Sequence, residues 1–219
     1  MSGYASSAGA AARPAKRKRY TARKSYGGKS QLVTKSMLRR ALKANTECKY
    51  HCRSEEDLSV DGTTGLVRDL SIIPQGDDDG DRDGNVVSAK WLVVRGRFGN
   101  ADSAGNVMRI IVCKWYGEGS AVGPSDFPQQ SGTTTLAPFA CWSSKKLNMH
   151  VLHDQLYKTD VDDPNTLFEF RCKINSKINF AGSSTASASH NSIILFCVSD
   201  SSVTAHPTIS FTSQLSFTG

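Results

Sequence analysis

The first 46 residues contain no aspartate or glutamate, and no window of the 219-residue chain approaches 18 consecutive apolar residues. The second absence argues against a membrane-spanning helix, so no membrane insertion is expected. The N-terminus, MSGYASSAGAAARPAKRKRY, lacks the apolar centre of a secretory signal, and export is not expected either. Hydrophobic residues make up only 38% of the chain. That is low for a fully folded protein, so one part of it is expected to stay unfolded.

Chemistry-bearing motifs are equally scarce. There is no Gly-rich phosphate loop, nucleophile elbow or paired metal motif. The most suggestive cluster for catalysis is His150, His153 and Asp154 in NMHVLHDQLY. Alternation along a strand sends positions 150 and 153 to opposite faces, so these side chains do not naturally cooperate. Neither catalysis nor a cofactor is expected. The six cysteines (48, 52, 113, 141, 172 and 197) fall mostly inside apolar runs such as IIVCKWY and LFCVSD. They read as reduced, buried thiols rather than a disulfide framework. In CKYHC, Cys48, His51 and Cys52 lack a second ligand pair at zinc-site spacing, and the simpler reading is a loop cysteine pair.

What the chain does have is charge, unevenly placed. Residues 1–46 carry Arg13, Lys16, Arg17, Lys18, Arg19, Arg23, Lys24, Lys29, Lys35, Arg39, Arg40 and Lys43, a net +12. The remainder, with 15 basic and 20 acidic residues, is −5. A segment so rich in one charge has little to bury and repels itself, so it is expected to be a disordered arm. Such an arm binds polyanions by displacing their counterions, with little regard for sequence. Tyr20 and Tyr26 lie among its cations and suit stacking on unpaired bases. Lys16, Arg17, Lys18 and Arg19 also read as a nuclear-import signal, with the host import machinery as partner. A short basic amphipathic helix fits 31–45, and 47–64 reads as an irregular connector.

From about residue 65 the pattern is that of strands. LFEFRCKIN turns Phe168, Phe170, Cys172 and Ile174 one way and Glu169, Arg171 and Lys173 the other. WLVVRGRF sets Leu92, Val94 and Phe98 against Arg95 and Arg97, and PTISFTSQLSF alternates through Ile209, Phe211, Leu215 and Phe217. VMRIIVCKWY and SIILFCVSD are near-continuous apolar runs, expected where both faces are covered. Strands are expected near 65–73, 86–98, 107–116, 147–158, 167–175, 176–181, 192–199 and 207–217. Eight strands with Gly, Pro, Asn and Asp in the gaps predict an all-β sandwich over 65–219; the count suits a jelly roll, and periodicity alone leaves a barrel or an immunoglobulin-like sandwich open.

PQGDDDGDRDGN (74–85) raises a separate question. Asp79, Asp81 and Asp83 followed by Gly84 match the first half of a helix–loop–helix calcium loop. The bidentate glutamate needed at loop position twelve is instead Lys90, and the flanks are strand-like. The expectation is a solvated turn partly compensated by Arg82. Its aspartates are weak candidates for a cation at a subunit contact, and no metal site is assigned.

In order along the chain, LSIIPQG, R.GN (82–85), VVSAKWLVVRG, VMRIIVCKWY, VLHDQLYKTD, INFAG, NSIILFCVSD and ISFTSQLSFTG resemble the capsid proteins of circular, Rep-encoding single-stranded DNA viruses. Each motif is short; their order and spacing, with the basic arm, carry the resemblance. It covers nearly the whole chain. Gln75, Gly76, Arg82 and Gly84 are the matching positions of the turn between the first two family strands. The resemblance implies a single jelly roll that assembles as sixty copies into a small icosahedral (T=1) shell. The arm would lie inward on packaged single-stranded DNA, and the protein would reside in the virion and, during assembly, in the host nucleus. A non-assembling viral shuttle or movement protein with the same arm is the alternative. A jelly-roll lectin acting through loop 117–138 gives no reason for the cations.

Overall fold

The computed structural model describes residues 34–38, 41, 46–100, 105–117, 122, 126–128, 138–142, 148–182, 186–201 and 205–219. The chain divides into two compact units, Met1–Ala41 and Leu42–Gly219. In the first, Thr34 caps a short helical stretch at 35–38. Its hydroxyl accepts from the Met37 amide (3.3 Å), and its carbonyl accepts from the Leu38 amide (3.1 Å). The rest of the helix expected over 31–45, apart from residue 41, lies outside the described residues, as does the arm before residue 34.

The second unit is all β. Its strands are β1 (Lys49–Ser59), β2 (Leu66–Asp69), β3 (Val86–Gly99), β4 (Val107–Trp115), β5 (Met149–Lys158), β6 (Asn165–Phe180), β7 (Ala188–His190), β8 (Ser192–Ser199) and β9 (Thr208–Thr218). They form a five-stranded sheet, β1-β9-β3-β6-β7, and a four-stranded sheet, β2-β8-β4-β5, with antiparallel pairing throughout. Leaving aside the three-residue β7, the orders 1-9-3-6 and 2-8-4-5 are the two interleaved Greek keys of a jelly roll, the expected fold.

The inward positions of β3, β6 and β9 are those read from alternation. Leu92, Val94, Phe98, Phe168, Phe170, Cys172, Ile174, Ile209, Phe211, Leu215 and Phe217 all join the core between the sheets. A bulge at Lys90 resets the alternation of β3, so that Val87 and Ala89 point inward as well as Leu92 and Val94. The continuous apolar runs are explained by a second layer. Ile111, Cys113, Trp115, Ile194, Phe196 and Val198 form the outer face of the four-stranded sheet, covered by Val122, Phe127 and Trp142. Phe127 stacks on Phe196 with centroids 3.9 Å apart. Loop 117–138 therefore contributes at least Val122 and Phe127 to a core.

Three strand expectations need correction. The irregular connector over 47–64 contains the eleven-residue β1. Its inward side chains include Lys49, His51, Arg53 and Glu55, so no apolar period marks it. The strands expected at 167–175 and 176–181 are one continuous β6, since Asn175 takes a left-handed conformation (φ 46°) without ending the ladder. The short β7 also escaped the pattern.

Candidate nucleic-acid interface

Of the twelve arm cations, only Lys35 is among the described residues, exposed on the 35–38 turn. Arg13, Lys16, Arg17, Lys18, Arg19, Arg23, Lys24, Lys29, Arg39, Arg40 and Lys43 lie outside them. The structure therefore bears on the sandwich into which this segment leads.

There the acidic turn is organised from within. Arg82 is fully buried, and its guanidinium donates to the carbonyls of Ile73 (3.2 Å), Gly84 (2.7 Å) and Gly182 (2.6 Å), to Gln75 Oε1 (3.0 Å) and to Asn85 Oδ1 (3.3 Å). It also lies 4.3 Å above the Phe180 ring. PQG, R.GN and INFAG, separated along the chain, thus meet at one side chain. Arg82 serves backbone carbonyls inside the fold, not the aspartates it was expected to offset. Of these, Asp83 is met from β1. Lys49 Nζ pairs with Asp83 Oδ1 (2.7 Å) and donates to the Asp81 carbonyl (3.1 Å), while His51 Nδ1 lies 3.1 Å from the Gly80 carbonyl. Asp77, Asp78 and Asp79 are exposed. The turn is latched onto the inner side of β1, between strands on both flanks.

Among the described residues, no group of three or more His, Cys, Asp or Glu side chains is placed to hold a metal ion. Within CKYHC, His51 faces inward, and Cys52, exposed on the opposite side, belongs to a strand rather than a loop. All six cysteines are free; Cys113, Cys172 and Cys197 are buried, Cys52 and Cys141 exposed. Burial pushes the Cys113 thiol up to about 12 and that of Cys172 to about 11.

The two histidines do not point to opposite faces as expected; Asp154 is the member of the cluster that is set apart. A bulge at Leu152 breaks the alternation, so His153 pairs with Val112 and His150 with Lys114, two positions of the same face. Asp154 points the other way, where Arg109 grips it with two nitrogens (2.6 and 2.8 Å) and Trp142 Nε1 donates to it (2.8 Å). His153 stacks on Phe170 (3.9 Å) and approaches the Tyr157 hydroxyl (3.3 Å).

The surface with recognition chemistry is one that sequence reasoning missed. On the solvent face of the five-stranded sheet, register sets Tyr50, Ser216, Trp91 and Lys173 in one row across β1, β9, β3 and β6. The next row is Cys52, Gln214, Val93 and Arg171, followed by Ser54, Thr212, Arg95 and Glu169. Arg171 lies 4.3 Å and Lys173 5.9 Å from the centroid of the Trp91 ring. Beside them a groove at the β3 bulge is lined by Thr46, Lys90, Asn175, Lys177 and Thr218. Alternation did show Arg171 and Lys173 on the polar side of β6. Only cross-strand register brings Trp91 and Tyr50 to them.

The chain matches no protein-family model, and no curated protein matches it.

Proposed function

We propose that this is a viral capsid protein that assembles with itself into a small icosahedral, sixty-subunit shell and packages circular single-stranded DNA through its basic segment. One observation carries the reading: twelve cations without a single acid in residues 1–46 are joined to a jelly-roll sandwich whose own segment is net negative. The two parts suit two tasks. The cationic part neutralises phosphates, while the β part offers a rigid body for self-association. Further support comes from the ordered motifs that resemble capsid proteins of circular Rep-encoding single-stranded DNA viruses. Three of them are held together by Arg82. With sixty copies, the lumen would hold roughly 700 arm cations, enough to balance only part of a genome of about one to two thousand phosphates. No catalytic role is assigned, and Lys16, Arg17, Lys18 and Arg19 are read as the nuclear-import signal.

Electron microscopy of the protein expressed alone, with its absorbance ratio at 260 and 280 nm, tests this directly. Uniform small shells containing nucleic acid are the expected result. A clean monomer or dimer that still binds DNA would replace this reading with that of a non-assembling shuttle protein.

A further inference from the structure

Four cations on or beside the solvent face of the five-stranded sheet, Lys90, Arg171, Lys173 and Lys177, make no ion pair among the described residues. Farther along the same face the cations are compensated: Arg95 pairs with Glu169 at 2.9 Å and Arg97 with Asp57 at 3.4 Å. Among the described residues, cations without an acidic partner are thus gathered at one end of the face, next to the acidic turn whose Asp83 is held by Lys49. That end also carries two aromatic rings. Trp91 is half-buried, with the Arg171 guanidinium over its ring, and Tyr50 is 53% exposed two strands away. The strand between them, β9, presents Ser216 and Gln214. The Ser216 hydroxyl is turned into the backbone of Trp91, bonded to its amide (3.1 Å) and carbonyl (3.2 Å). The result is a low polar floor between two ring-bearing positions whose backbones are roughly 10 Å apart, two strand spacings, with cations along one side.

This surface has the chemistry of an unpaired nucleic-acid strand in complement. Bases stack on aromatic rings and on guanidinium planes, and Lys or Arg at the border meets the phosphates. A duplex hides its base faces and gains nothing from the rings. The place is also suitable: Thr46, which lines the adjoining groove, is three residues beyond Lys43, the last of the twelve cations. A strand gathered by that segment therefore needs no long tether to reach the sheet. From these observations we infer that the Tyr50–Trp91–Arg171–Lys173 face is a second nucleic-acid contact, a stacking platform selective for single strands. It deepens, and rests on, the nucleic-acid reading above. The bland alternative is that the cation–ring pairs only brace neighbouring strands; it gives no reason for the uncompensated charge beside them.

The test uses the full chain and a short oligo-dT carrying 5-iododeoxyuridine, photo-crosslinked and mapped by mass spectrometry. Crosslinks to peptides containing Trp91 or Tyr50 are expected. Trp91→Leu is expected to weaken oligo-dT binding about fivefold or more, while Trp91→Phe, which keeps a ring, stays close to the native affinity. The exposed pair Arg171→Gln/Lys173→Gln does not depend on tolerance at Trp91. It should lower the slope of log affinity against log salt by about 1.4 for single strands. Binding with crosslinks confined to residues 1–46, and an unchanged slope in the pair, would overturn the platform but leave the packaging role intact. No oligonucleotide binding at all by the native chain would overturn both.

Discussion

At the scale of single residues, Arg82 ties together three separated stretches of chain, 73–75, 84–85 and 180–182. Removing this guanidinium strands the buried Ile73 carbonyl and takes a charged donor from four part-buried acceptors, and an unpaired buried group costs about 1–3 kcal/mol. Arg82→Met is therefore expected to lower unfolding stability by about 3 kcal/mol or more in urea titration, although it adds an apolar group to a buried site. Arg82→Lys is expected to recover little, because a single ammonium cannot reproduce the fork. A variant as stable as the native chain would mean that the turn 74–85 holds itself. Gly65 is a second residue-scale constraint. Its φ of +62° and the Cys197 carbonyl, 2.7 Å from where a Cβ would sit, leave no room for a side chain at the entry to β2.

At the scale of elements, the seam between β5 and β6 closes one side of the sandwich with aromatic contacts. His153 stacks on Phe170, and Tyr157 packs tilted against Phe168 with centroids 5.5 Å apart. Burial pushes the His153 imidazole below its ordinary range, with Asp154 pulling the other way. The neutral ring is thus the form the fold prefers. Its contribution is complete above the ordinary imidazole value of about 6.5 and is lost as the pH falls from there through the lowered folded value. Thermal melts from neutral to mildly acidic pH are expected to show a smaller loss of Tm for His153→Gln than for the native chain. Identical pH slopes in the two would remove His153 as the titrating group. On the opposite side, β1 brings Leu58 to the core and is otherwise held by polar side chains. Glu55 pairs with Arg68 and Arg53 (2.6 Å each), and Arg53 reaches the Asp69 carbonyl (2.9 Å). These links tie the edge of one sheet to β2 of the other.

At the scale of the whole molecule, the division between Met1–Ala41 and Leu42–Gly219 falls near the end of the cationic segment. The hydrogen-bonded ladders and the two apolar layers lie within the second unit. Deleting residues 1–46 is accordingly expected to leave the sandwich folded, by far-UV circular dichroism and cooperative melting, while emptying the assembled particle of nucleic acid. Retained nucleic acid after that deletion would refute the packaging role given to the twelve cations. A protein that no longer folds would show instead that the segment belongs to the sandwich.

The amino-acid sequence by itself determined the fold class and most of the strands, because alternation in β3, β6 and β9 and the unbroken apolar runs of β4 and β8 are local consequences of which faces are covered. It also determined where the cations lie, since net charge needs no fold. Tertiary structure decided what depends on partners distant in the chain. β1 has polar inward residues matched by the acidic turn and by β2, so its period was invisible. The bulges at Lys90 and Leu152 shift which face a side chain occupies, and this reversed the reading of His150 and His153. Arg82 looked like a surface counter-ion until its carbonyl partners, up to a hundred residues away, closed around it. The row from Tyr50 to Lys173 exists only through the register of four strands, and pairing between strands far apart in sequence is not written in the composition of any one of them.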